Sequence, residues 1–188
     1  MTRTYDLIAA ALILCLTLVL VAYTINTPWL LDWAFERHQN LLSWYIRPVL
    51  LLPICFFAYK RSLTGICLSF LALLTSMVWF PVPDSVDPNV AQFLAMEIEY
   101  LTSPWNLIKI ILSLSIPVFM GLLCIAFWYR SIRFGVLLML AMAGLKVIWS
   151  INQGGHSGLS TIVPAFVGFA LCVIGLLAYS RYTKTDKS

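Results

Sequence analysis

Arg47, Lys109 and Lys146 each interrupt a long apolar run. An ionisable group below a membrane surface is costly unless it pairs, faces a bundle interior or lines a polar cavity. Each of the three lies about four or five residues from the same end of its run, counted at ~1.5 Å per residue. Their common depth predicts a shared polar pocket, with snorkelling to the phosphates as the alternative for any one of them. Three cations in such a pocket would capture an anion. Glu97 is the natural internal counterion. His156, in the run Asn152-Gln153-Gly154-Gly155-His156-Ser157-Gly158, adds a group that titrates near neutral pH. The glycines around it suit a tight turn and expose backbone N–H groups to an anion. The candidate ligand-binding residues are therefore Arg47, Glu97, Lys109, Lys146 and His156.

Other chemistries fit less well. Gly155-His156-Ser157-Gly158 has the Gly-x-Ser-Gly form seen in rhomboid intramembrane serine proteases, but that form needs a histidine base on a later helix. No histidine follows Ser157, and the only other one is His38. A zinc site needs three or four converging His, Cys, Asp or Glu ligands, and no pair of histidines stands at helical spacing. The five cysteines, Cys15, Cys55, Cys67, Cys124 and Cys172, are scattered singly through apolar runs and read as small buried hydrophobes. There is no phosphate-binding glycine loop, nucleotide fingerprint or redox pair. No catalytic residue, metal site or cofactor is expected, and no motif names a reaction.

The elements that must position these residues follow from composition. Of 188 residues, 61% are hydrophobic and 11% charged, whereas a soluble domain is roughly a quarter charged. Such a surface belongs in lipid. With no long polar segment, residues 1–188 read as a single integral membrane domain. The net charge of +4 is spread in ones and twos, so nucleic acid is not an expected partner. The expected partners are membrane lipids and other membrane subunits.

A crossing needs about 20 apolar residues, and helices alone satisfy their backbone groups in lipid when strands do not close. The chain predicts an all-α polytopic bundle with spans over 7–25, 42–59, 63–80, 104–128, 134–150 and 161–179. Arg3, Lys60, Arg61, Arg130, Arg133 and the tail cations Arg181, Lys184 and Lys187 then share one side. The opposite connections hold Asp32, Glu36, Asp84, Asp87, Glu97 and Glu99, with Arg37 as their loop cation. Lysine and arginine bias sets orientation, so both termini are expected in the cytoplasm, in a bacterial inner membrane. Trp29, Trp33, Trp44, Trp79, Trp105 and Trp149 fall near the outer interface and Trp128 near the inner one, as amphipathic aromatics favour headgroup depth.

The inner connections are tight and the outer ones, over about 26–41, 81–103 and 151–160, are long. Function is expected on the outer side, where a scaffold holds loops. Asp87 followed by Pro88 is a helix start, predicting an interfacial helix over 88–101. At ~100° per residue, Val90, Phe93, Leu94, Ile98 and Leu101 share its apolar face, with Glu97 among them and Glu99 opposite. An acid on an apolar face breaks the pattern, as functional sites do. The expected function is binding or transport of an anionic lipid headgroup, lipid-linked intermediate or small anion at an outer pocket. The alternatives are an assembly subunit, with Gly121, Ala143, Gly168 and Gly175 as helix-contact residues, and an enzyme on a lipid substrate using Glu97 or His156 as acid–base.

Overall fold

The computed structural model describes the backbone from Arg3 to Thr185 and side chains as far as Tyr179. Arg181, Lys184 and Lys187, counted above among the cations of one side, lie outside the described side chains. Among the described residues there are no strands, and 87% helix. In chain order the helices are α1 (Arg3–Asn26), α2 (Pro28–His38), α3 (Leu41–Val49), α4 (Leu51–Tyr59), α5 (Leu63–Thr75), α6 (Pro88–Thr102), α7 (Leu107–Trp128), α8 (Ile132–Gly154) and α9 (Ile162–Thr185). A 3-10 turn, Ser76–Val78, extends α5, and a 3-10 segment, Gly155–Thr161, links α8 to α9.

Four helical segments are long and apolar enough to cross a membrane: Arg3–Asn26, Leu41–Tyr59, Leu107–Trp128 and Ile132–Tyr179. The last is 48 residues long and contains both α8 and the described part of α9. Leu63–Val78 is apolar but shorter. Leu12, Leu18, Leu107, Ile116 and Phe166 are exposed, a surface that suits lipid rather than water.

Local chemistry sets the helix ends. Asn40 accepts from the Leu42 N–H and starts α3; Asp87 accepts from the Asn89 N–H and starts α6. The interfacial helix expected over 88–101 is α6, and its buried residues Val90, Phe93 and Leu94 are those of the predicted face. Four expectations shift. The connection over 26–41 is largely helical as α2, entered through Pro28 at its first turn. The helix over 42–59 breaks at Leu50, because Pro48 and Pro53 each remove a backbone donor. The fourth span starts at Leu107, not 104, because the Asn106 side chain supplies the cap while Ser103 ends α6. The fifth is longer than 134–150, taking in Asn152 and Gln153.

Two cores result. One, around Cys55, Ala58, Leu123, Phe127, Met139 and Cys172, lies toward the end with the tight turns. There the Asp6 carboxylate of α1 accepts from the Leu63 and Thr64 N–H groups, capping α5 across the bundle at 2.9 and 3.1 Å. Both tight turns hold an arginine at positive φ: Arg61 at 57° and Arg130 at 60°. The second core, at the other end, joins Leu31 and Phe35 of α2, Trp44 of α3, and Val90, Phe93 and Leu94 of α6. Gly168 meets the Pro48 ring and Gly175 meets Leu52, so α9 lies close against α3 and α4.

Candidate functional site

The second core carries the polar groups. The turn at Gln39 and Asn40 folds α3 back beside the end of α2, and Trp44 pins it by donating its indole N–H to the His38 carbonyl at 2.8 Å. His38 is thereby buried, with 4% of its surface exposed. Its Nε2 lies 3.0 Å from an Arg47 guanidinium nitrogen and its Nδ1 lies 2.7 Å from Ser43 Oγ. Arginine only donates, so Nε2 must be the bare acceptor and Nδ1 carries the proton. Nδ1–H then donates to Ser43 Oγ, whose own hydroxyl donates to the Asn40 carbonyl at 2.7 Å. The chain of donors fixes the imidazole as neutral and orients Arg47. Burial, with Arg47 and then Lys146 beside it, pushes the His38 pKa down to about 3.

Helix α6 supplies the acid. Glu97 Oε1 accepts from Lys146 Nζ of α8 at 2.6 Å, with 18% of the Glu97 side chain and 49% of the Lys146 side chain exposed. The lysine ammonium also lies over the rings of Phe93 at 5.3 Å and Trp149 at 4.6 Å, where the ring quadrupoles attract it. The Glu97 carboxylate is within electrostatic reach of Arg47 as well. Arg47 thus holds His38 and Lys146 holds Glu97, two pairs close enough to influence each other electrostatically.

Lys109 is placed differently. It is buried, with 4% exposed, and its Nζ donates to the Ser103 carbonyl at 2.6 Å and to the Leu101 carbonyl at 3.4 Å. These carbonyls terminate α6, where positive charge is favourable. The rings of Trp105 and Tyr100 flank the ammonium at 4.5 and 5.2 Å. Tyr100 meets Trp149 edge-on at 5.3 Å, so an aromatic pair separates Lys109 from Lys146. His156 stands apart, exposed on the 3-10 segment.

Sequence reasoning did not single out His38 or Ser43. The available signal was the Asn40 cap, which turns the chain so that residues nine apart meet. Among the described residues, Lys146–Glu97 is the one ion pair, and no three His, Cys, Asp or Glu side chains come together. A cleft of about 290 Å³ opens between α2 and α6, lined by Asp32, Glu36, Gln39, Leu94 and Ile98; its carboxylates would repel an anion.

This cluster thus holds two cations, Arg47 and Lys146, to one acid, Glu97, and its arginine rests on a neutral ring. Comparisons with family models, with curated proteins and with solved structures found no match.

Proposed function

We propose that this is a membrane protein whose Arg47 and Lys146 bind an anionic group, a lipid headgroup, lipid-linked intermediate or small anion, at the outer end of the bundle. The observation that carries the reading is the partner of Arg47. A half-buried guanidinium held by a neutral imidazole, with Glu97 already paired to Lys146, leaves positive charge for an anion to neutralise. Glu97 acts as a stand-in counterion. Lys146 is half exposed and can exchange the carboxylate for a ligand oxygen. Lys109 holds the end of α6 and so shapes the rim.

The same reading takes the chain across the membrane six times, with Leu63–Val78 crossing once and Ile132–Tyr179 twice. It places both termini in the cytoplasm of a bacterial cell. Lys60, Arg61, Arg130 and Arg133 at one end, against Arg37 as the loop cation at the other, support this orientation. An impermeant thiol reagent added outside should label Ser85→Cys and spare Ser131→Cys.

Binding is tested with dioctanoyl phosphatidic acid and the protein in detergent. Losing one charge-assisted hydrogen bond costs roughly 1.5–3 kcal/mol, on the order of tenfold or more in affinity. Arg47→Gln and Lys146→Gln should each weaken binding by that factor, and salt should weaken the wild type. Affinities within twofold of wild type for both variants would overturn the assignment.

A second reading, an assembly subunit, is favoured by Gly121 of α7 and Gly144 of α8, beside which nothing lies within 4 Å. Small residues on an open face let another helix approach. Crosslinking from Gly121→Cys that captures only lipid would count against it.

A further inference from the structure

At the opposite end of the bundle a groove of about 350 Å³ runs between α4, the start of α8 and α9. Its walls are Leu52, Phe56, Tyr59, Phe127, Leu176 and Tyr179, and among the described residues no carboxylate lines it. Leu52, Phe56 and Tyr59 follow one face of α4, so the groove runs along the helix axis for about 10 Å. Its aromatic wall is braced: Tyr179 meets Phe56 and Tyr59 edge-on at 5.9 and 6.1 Å.

Two cations stand on this wall where α4 ends. Lys60 Nζ lies 5.7 Å over the Phe56 ring and Arg130 Cζ 4.9 Å over the Tyr59 ring. Both are exposed, and neither is ion-paired among the described residues. Arg130 occupies the left-handed region, at φ 60°, a conformation that usually takes glycine. The backbone of this turn would be better served by glycine, yet a guanidinium stands there, beside an apolar channel that leads into the membrane-spanning part.

We propose that this groove holds an acyl chain of an anionic phospholipid, with the phosphate between Lys60 and Arg130. The apolar walls take the upper part of the chain by close packing, since the chain already lies in hydrocarbon and no area leaves water. The two cations take the charge, which a zwitterionic headgroup would not supply in net. The site is separate from the Arg47 and Lys146 cluster and does not depend on it.

Dioleoyl phosphatidylglycerol and dioleoyl phosphatidylcholine carry the same chains and differ in headgroup charge. Native mass spectrometry of the purified protein, after adding each at equal concentration, counts the lipids retained. One phosphatidylglycerol should be retained with at least tenfold preference. Lys60→Gln combined with Arg130→Gly, which suits the turn, should abolish that preference with thermal unfolding unchanged or higher. Leu176→Trp, which fills the groove, should reduce retention of both lipids. Arg133→Gln removes an exposed cation of the same end that does not itself line the groove and should change nothing. Equal retention of the two lipids would overturn the proposal. So would a loss in Arg133→Gln as large as in the double variant, because it would mean diffuse attraction rather than a built site.

Discussion

Acidification should destabilise this protein through one side chain, His38. The ring is neutral, buried and wedged against Arg47, with Lys146 beyond it and Glu97 as the nearby acid. Its pKa in the folded chain is about 3, against an ordinary 6.5. As pH falls, the unfolded chain takes up the proton first. The stabilisation is therefore complete above pH 6.5 and is lost progressively as pH drops toward 3. The slope is about 1.4 kcal/mol per pH unit. At pH 4.5 the loss is roughly 2–3 kcal/mol, which corresponds to about 5–10 °C in melting temperature for a chain of this size. The comparison variant is His38→Gln, whose amide oxygen can still accept from Arg47 but which does not titrate. Thermal unfolding followed by tryptophan fluorescence at pH 7.5 and pH 4.5 reads the difference. The other acids contribute equally to both proteins. Because the chain has two histidines, NMR of labelled imidazoles in a His156→Asn background isolates His38, whose signals should stay neutral down to about pH 4. If wild type and His38→Gln lose the same stability, or if the His38 ring titrates near 6.5, the argument from Arg47 and burial is wrong.

Other consequences follow from neighbouring residues. Glu97→Gln should change stability by less than about 1 kcal/mol, since Lys146 is half exposed and screened. It should also tighten dioctanoyl phosphatidic acid several-fold by removing the competing carboxylate; weaker binding would contradict its role as counterion. Lys109→Met leaves the Ser103 carbonyl without its donor, at a cost of about 1–3 kcal/mol, and hydrogen exchange should quicken around 101–106. Gly158→Ala drives a methyl group into the Ser150 backbone and should cost at least about 1–3 kcal/mol as overpacking. Gly121→Ala meets nothing and should be neutral or gain up to about 1 kcal/mol in helix propensity; the two melting temperatures compared side by side check this.

What the sequence made legible was whatever a single periodicity or a short-range signal encodes. Asp87-Pro88 and the spacing of Val90, Phe93 and Leu94 located α6 and its buried face, and the misfit acid Glu97 stood out against them. Azimuth around a helix was not legible. Arg47, Lys109 and Lys146 are expected at one depth from their spacing, yet Lys109 turns to the carbonyls ending α6 while Arg47 meets His38 and Lys146 meets Glu97. Helix α2 went unread because its acids and His38 looked like a connection, although Thr27-Pro28 is a start signal. The break at Leu50 depends on two prolines acting together, one on each side. The pairing of His38 with Arg47 depends on a two-residue turn whose angle no periodicity reports.

The arginines at positive φ carry an implication for anyone seeking a sturdier version of this protein. Standard turn optimisation would write glycine at 61 and 130, relieving a backbone conformation that disfavours every side chain. Positive residues flanking apolar spans also tell the insertion machinery which way to thread a chain. A sturdier turn and a clearer threading cue therefore select different residues at these two positions. A gain in melting temperature from Arg61→Gly or Arg130→Gly would have to be weighed against the fraction of chains inserted upside down.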